Sequence, residues 1–317
     1  MPNPKQTDER ARAESLRAKP GKAGAKQAIS ENRRTAHWDT VAIVGVGLIG
    51  GSVGLALKER GLARRVVGIG RRQESLDRAK AAGAIDETSL ELEQGVKAAE
   101  LIVVCTPVGR IVEDVRRTAA ACLEDALITD GGSTKEAIVK ALDGKLPGKL
   151  GSARFVGSHP LAGSEKNGPN NARADLFDGR IVLVTPGKKT TPADADAVSD
   201  FWSALGATVW RMSPAEHDRA LAATSHAPHL IAAALAAATT DQDRPLCGTG
   251  WRDTTRIAAG DVEIWTQIFL ANRGNTLKSV ARFEKTLSAL RAALERGDET
   301  RLAKLLTEAK RSRDALQ

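Results

Sequence analysis

Six residues, Gly45-Val46-Gly47-Leu48-Ile49-Gly50, constrain this chain more than any other segment. They follow an apolar, β-branched run at residues 40–44 and lead into a stretch of helical pattern at 51–60. Strand, glycine turn and helix in that order make a dinucleotide cradle. Gly45 permits the tight turn, Gly47 lets the backbone approach a pyrophosphate, and Gly50 lets the helix pack close to the strand. The backbone of Val46, Leu48 and Ile49 completes the turn, and the helix N-terminus offers free N–H groups to the anion.

The pattern continues as alternating elements. Strands are predicted at 66–69, 101–105, 127–130, 155–156 and 181–185, and helices at 74–82, 111–122 and 135–142. Short connections between strands and helices imply an α/β fold, a Rossmann-type parallel sheet covered on both faces. From Pro214 strand signals stop. Long helical stretches are predicted at 215–240, 262–296 and 299–315. The middle one repeats apolar residues at helical spacing, including Ile264, Ile268, Leu277 and Val280. Such helices predict an all-helical domain that buries an apolar stripe against a second copy of the chain. The expected division is a basic, disordered tail at 1–37, a dinucleotide-binding domain at 38–213 and a helical substrate and dimerisation domain at 214–317.

The end of the second strand bears on which dinucleotide binds. An acid there holds the ribose 2′-hydroxyl of NAD. This chain has Gly70-Arg71-Arg72, with no carboxylate before Glu74. Arg71 and Arg72 suit a 2′-phosphate, so NADP is favoured and NAD is the alternative. Thr106, just past the third strand, is placed with the cofactor.

The net charge of +8 suggests a nucleic-acid partner, but residues 1–37 carry +5 of it. A phosphate-tracking surface needs a basic face on the folded part, with aromatic residues for single strands. Aromatics are 3% of the chain, so no nucleic-acid partner is expected. The longest apolar run, 230–238, falls short of the ~20 residues that span a bilayer, and the N-terminus has no secretory core. A cytoplasmic location and no membrane partner are expected. Cys105, Cys122 and Cys247 fit neither a disulfide framework nor a zinc site.

About 110 residues after the glycine turn lies GSHPLAGSEKNG, 157–168, with His159 in what reads as a loop of small and polar residues. A histidine beside a nicotinamide takes the proton of a hydroxyl as hydride leaves its carbon. The two segments together predict an oxidoreductase acting on an alcohol.

GVGLIGGS (45–52), TDGGSTK (129–135), GSHPLAGSEKNG (157–168), MSPAEHD (212–218), SHAPH (225–229) and GWRDTTRI (250–257) occur in the order seen in prephenate and arogenate dehydrogenases. The chain resembles that family over about residues 40–315. The resemblance implies a Rossmann domain, a helical domain that makes a homodimer, and oxidative decarboxylation of prephenate to 4-hydroxyphenylpyruvate in tyrosine biosynthesis. It makes His159 the proton acceptor and Ser133 the group that orients the same hydroxyl, although Ser133 or Thr134 also reads as the N-cap of the next helix. It makes Arg256 the substrate carboxylate's partner, with Arg252 assisting. Ser164 and Glu165 resemble pocket residues, and His217, His226 and His229 line the cleft, with His229 in direct contact. Trp265 reads as a cleft wall or a buried anchor. His226 and His229 lack a third ligand, so no metal is expected. With the chain ending at Gln317, no appended domain for tyrosine feedback is expected.

Three rivals stand. One is L-arogenate as the substrate, and another is a β-hydroxyacid dehydrogenase, which uses a lysine where His159 lies. The third is a catalytically silent NADP-binding sensor.

Overall fold

The computed structural model describes residues 38–147, 153–162 and 168–315. The expected tail at 1–37 and the pocket residues Ser164 and Glu165 lie outside the described residues.

Apolar β-branched runs form the centre. The first strands and helices are β1 (Trp38–Val44), α1 (Leu48–Glu59), β2 (Ala63–Ile69), α2 (Gln73–Ala81), β3 (Glu87–Ser89), α3 (Leu92–Val96) and β4 (Leu101–Val104). There follow α4 (Val108–Ala121), β5 (Leu127–Asp130), α5 (Glu136–Leu142), β6 (Arg154–Pro160), β7 (Ile181–Thr185), α6 (Pro192–Ala204) and β8 (Thr208–Arg211). They make one eight-stranded sheet in the order β3-β2-β1-β4-β5-β6-β7-β8. Pairing is parallel except between β6 and β7.

Alternate residues of one strand serve opposite faces. Val41 and Ile43 of β1 and Leu101 and Val103 of β4 pack with Leu57, Leu76, Phe201 and Trp202. Their neighbours Ala42, Val44, Ile102 and Val104 pack with Val96, Ile111, Val115 and Leu142 on the other face. Burial on both sides explains why these strands read as unbroken apolar runs. The strand order reverses between β1 and β4, and ligands of such sheets sit at the carboxyl ends beside that switch point.

Helices follow: α7 (Pro214–Leu221), a π turn at Ala222–His226, α8 (Ala227–Ala238), α9 (Thr249–Thr255), α10 (Val262–Ala271), α11 (Arg273–Glu295) and α12 (Glu299–Asp314). Ser213 and Glu216 form a reciprocal capping box at the start of α7, with Pro214 at the first helical position.

Four expectations need correction. His159 is on a strand, the penultimate residue of β6 and opposite Leu183 of β7. The sequence hid this because Gly157-Ser158-His159-Pro160 is not apolar; Ser158 is buried there with bonds to Asp130, Thr129 and Trp202. Pro228, between His226 and His229, reads as the first turn of a new helix; it does stand in the first turn of α8, but no break precedes it. The run from Pro214 to Ala238 is continuous and passes through the π turn just before Pro228. A proline lacks the N–H for the carbonyl four residues back, and a wider turn relieves that mismatch. This run of 25 residues is long and apolar enough to span a bilayer by length and composition. Its His217, Asp218 and His226 are nevertheless buried against protein partners. Finally, the helix expected over 262–296 is two helices. Asn272 interrupts it at φ −112°, ψ 29°, with its side chain engaged by Asp218 and His226.

Candidate active site

The glycine turn lies at the carboxyl end of β1. Gly45 has φ +92°, and a Cβ there would lie 2.8 Å from the carbonyl oxygen of Cys105 at the end of β4. A Cβ on Gly50 would sit 2.2 Å from the Gly45 carbonyl oxygen. Gly47 meets nothing within 4 Å, so its backbone faces open space. No side chain caps the α1 N-terminus. Thr106, past β4, has a buried hydroxyl with no partner. This cradle fits a dinucleotide: backbone crowding on one side, open approach on the other, and unspent donors facing it. Arg71 and Arg72 are exposed after Gly70.

At the ends of β5 and β6 a second constellation is built from polar groups. His159 Nδ1 is 2.9 Å from His217 Nε2, and His217 Nδ1 is 2.8 Å from Asp218 Oδ1. Asp218 also accepts the backbone N–H groups of Lys135 at 2.7 Å and Glu136 at 3.0 Å. Its carbonyl accepts Asn272 Nδ2 at 2.6 Å, and that amide lies 3.2 Å from His226 Nδ1. Lys135, fully buried, pairs with Asp130.

Burial and surrounding charge set the protonation states. His159 keeps part of its surface open but is densely surrounded. Desolvation, then the neighbouring His217, Lys135 and His226, hold its pKa well below the ordinary histidine value. His217 is lowered by burial, against the pull of Asp218. Burial takes His226 down to about 4. Burial by itself would raise Asp218, but the bonds from His217 and the Lys135 and Glu136 N–H groups outweigh it and hold the carboxyl below its usual range. All three rings are therefore neutral near pH 7, beside an ionised carboxylate.

The remaining histidine is packed differently. His229 stacks on Trp265 with ring centroids 3.5 Å apart, and Phe269 lies alongside. Burial lowers its pKa too, and its Nδ1 is buried without a partner. Gly260 lets the loop reach this stack, since a Cβ would lie 2.5 Å from Trp265 Nε1.

The structure thus brings His159 together with His217 and, through Asp218 and Asn272, with His226. His226 lies edge-on to Trp265, which carries the contact to His229. Ser133, half-buried between β5 and α5, makes no hydrogen bond among the described residues, so it is not joined to His159 directly. Nor is it an N-cap: Lys135 holds that position and no side chain of the local sequence caps α5, because Asp218 from α7 supplies the acceptor. Arg252 and Arg256 are exposed and line a separate shallow recess of about 370 Å³ with Trp251 and Thr255. Asp218 was missed as a site residue. The signal lay in Ser-Pro-Ala-Glu-His-Asp, where the capping box fixes the helix start and puts His217 and Asp218 four and three residues before buried Leu221, on the inward face.

Residues 53–211 match the family described as prephenate dehydrogenase, nucleotide-binding domain, and residues 213–308 match prephenate dehydrogenase, dimerization domain. A prephenate dehydrogenase of Bacillus subtilis (strain 168) is 34% identical over 285 residues, covering 88% of this chain and 76% of the relative. A crystal structure of prephenate dehydrogenase from A. aeolicus in complex with hydroxyphenyl propionate and NAD+ superposes with a TM-score of 0.80 at 34% identity, covering 88% of this chain and 98% of that one. The structure of Synechocystis arogenate dehydrogenase gives 0.73 at 27% identity, with 88% and 100% covered.

Proposed function

The chain belongs to the prephenate dehydrogenase family, and from that premise we propose that it converts prephenate to 4-hydroxyphenylpyruvate by oxidative decarboxylation. The observation that carries this reading is the neutral His159, hydrogen-bonded at Nδ1, at the carboxyl edge of the sheet that also holds the glycine cradle.

When bound, the nicotinamide supplies an acceptor for the hydride lost from the alcohol carbon. Gly45, Val46, Gly47, Leu48, Ile49 and Gly50 hold the pyrophosphate, and Thr106 offers its unpaired hydroxyl to the same ligand. Gly70 in place of an acid, followed by exposed Arg71 and Arg72, favours NADP over NAD. His159 takes the hydroxyl proton at Nε2, the nitrogen His217 does not occupy. Ser133, unspent on capping, orients that hydroxyl. The bond to the ring carboxylate then breaks, CO2 leaves, and the electron pair completes an aromatic ring whose oxygen takes up a proton. Arg256, with Arg252 beside it, holds substrate carboxylate through a guanidinium fork. Ser164 and Glu165 are assigned to the substrate on the motif they share with the family, their positions lying outside the described residues. His229, with its unpartnered Nδ1, contacts the substrate against the Trp265 wall.

We place the division at 213/214, with the cofactor held by 38–213 and substrate contacts and dimer made by 214–317. Exposed Leu246, Val262, Leu270, Leu277, Leu287 and Leu294 give the helical half the apolar surface a second copy would cover.

L-Arogenate carries an amine where prephenate has a keto group, and the likeness to the Synechocystis structure keeps it in the test. The purified chain is assayed by absorbance of the reduced nicotinamide with each substrate and each cofactor. Turnover is expected with prephenate, faster with NADP than with NAD. Faster turnover of arogenate would reassign the substrate, and turnover of neither would end this reading.

A further inference from the structure

We propose that His217 and Asp218 are positioning residues that fix the proton of neutral His159 on Nδ1, so that Nε2 is its only acceptor. The proposal deepens the reading of His159 as the base, on which its kinetic consequence rests.

Asp218 starts the argument because it has no freedom. Its carboxylate accepts from Lys135 N, Glu136 N and the His217 ring, and its carbonyl accepts from Asn272. An ionised carboxylate only accepts, so His217 Nδ1 carries a proton and donates it. A neutral imidazole with a proton on one nitrogen accepts on the other. His217 Nε2 is therefore an acceptor, and His159 Nδ1, 2.9 Å away, is the donor. Nothing is left for a neutral His159 Nε2 but a lone pair. When His159 receives a proton there, the cation that forms keeps its Nδ1–H bond, and the carboxylate two links away favours the positive charge.

The same carboxylate holds both parts of the site. By taking the Lys135 and Glu136 N–H groups it anchors the turn that carries Ser133, and through His217 it anchors the strand that carries His159. A helix of the C-terminal half thus sets the register between two elements of the nucleotide-binding half.

A capping role alone predicts a stability loss and nothing about ring nitrogens. The test is nitrogen NMR of the full-length protein labelled at histidine, with the His159 signals identified by their loss in His159→Asn. The expected native state has His159 protonated at Nδ1 and bare at Nε2. In Asp218→Ala the acceptor for His217 Nδ1 is gone, neither ring is held to one tautomer, and the His159 proton divides between Nδ1 and Nε2. In that variant kcat falls about 100-fold or more, with cofactor affinity kept. His217→Phe leaves Asp218 bonded to the Lys135 and Glu136 N–H groups but removes the acceptor, giving mixed His159 tautomers, whereas His217→Gln, able to accept from His159 and donate to Asp218, restores part of kcat and the native tautomer. His217→Phe serves if Asp218→Ala does not fold. A native His159 with its proton on Nε2 overturns the proposal, as does an unchanged tautomer in both variants. Loss of wild-type turnover with every substrate would end the functional reading while leaving the nitrogen assignment to stand.

Discussion

The glycine turn and the His159 cluster stand at the same edge of one sheet and solve opposite packing problems. At the turn, function needs room, and room is made by leaving side chains out: Gly45 and Gly50 sit where a Cβ would strike backbone at 2.8 and 2.2 Å. At the cluster, function needs a buried polar group, and burial is tolerated because the polar groups partner one another and leave His159 Nε2 for the substrate proton. Removing one partner there exposes the full desolvation cost of the other. The turn is a local device written in six consecutive residues. The cluster draws on residues 130, 135, 159, 217, 218, 226 and 272, and has no local signature.

The contrast predicts that the two regions fail in different constants. His159→Asn should lower kcat ~100-fold or more with cofactor affinity little changed, because the lost group accepts the proton and holds no cofactor. Gly50→Ala should do the reverse. The added Cβ must displace the Gly45 backbone, and cofactor Kd should rise ~10-fold or more while bound enzyme retains its chemistry. Equilibrium binding and single-turnover rates on both variants separate these outcomes. A His159→Asn enzyme with near-normal turnover would remove the base assignment.

This difference also explains what could be read in advance. Strands buried on both faces announce themselves as apolar runs, so the sheet, the cofactor turn and the helical C-terminal half were legible. His159 read as loop because its strand is continued by Ser158, a buried polar residue paid for by Asp130, Thr129 and Trp202, partners 28, 29 and 44 residues away. Ser133 read as a possible cap because local sequence favours one; the acceptor comes instead from Asp218, 83 residues from Lys135. The break at Asn272 was invisible for the same reason, since its amide answers to His226 and Asp218.

A smaller effect is expected at the exposed arginines. Arg256→Gln keeps a hydrogen-bond donor and loses the charge and fork. Exposed to solvent, it should cost about 10-fold in KM for the substrate, with kcat nearly unchanged. Steady-state kinetics at saturating cofactor measures this. A fall in kcat with KM constant would move Arg256 from binding to the reacting centre.

The smallest change separates the regions by pH. The turn has no titratable side chain among residues 45–50, whereas the cluster has three histidines with depressed pKa values. A histidine held neutral in the folded state adds stability at a pH above its unfolded value, about 6.5. As pH falls below 6.5 the unfolded chain binds protons that the fold refuses, and stability is lost until the folded pKa, about 4 for His226, is reached. Asp218 acts in the same direction but only from the ordinary carboxylate range downward, where its depressed pKa leaves it ionised while the unfolded chain protonates and stability falls further. Between pH 6.5 and the onset of carboxylate titration the decline therefore belongs to the imidazoles. Scanning calorimetry should show Tm falling through that window, less steeply in His226→Gln than in wild type. Equal slopes would mean that His226 is already protonated in the folded protein, and that its bond with Asn272 runs to a different atom.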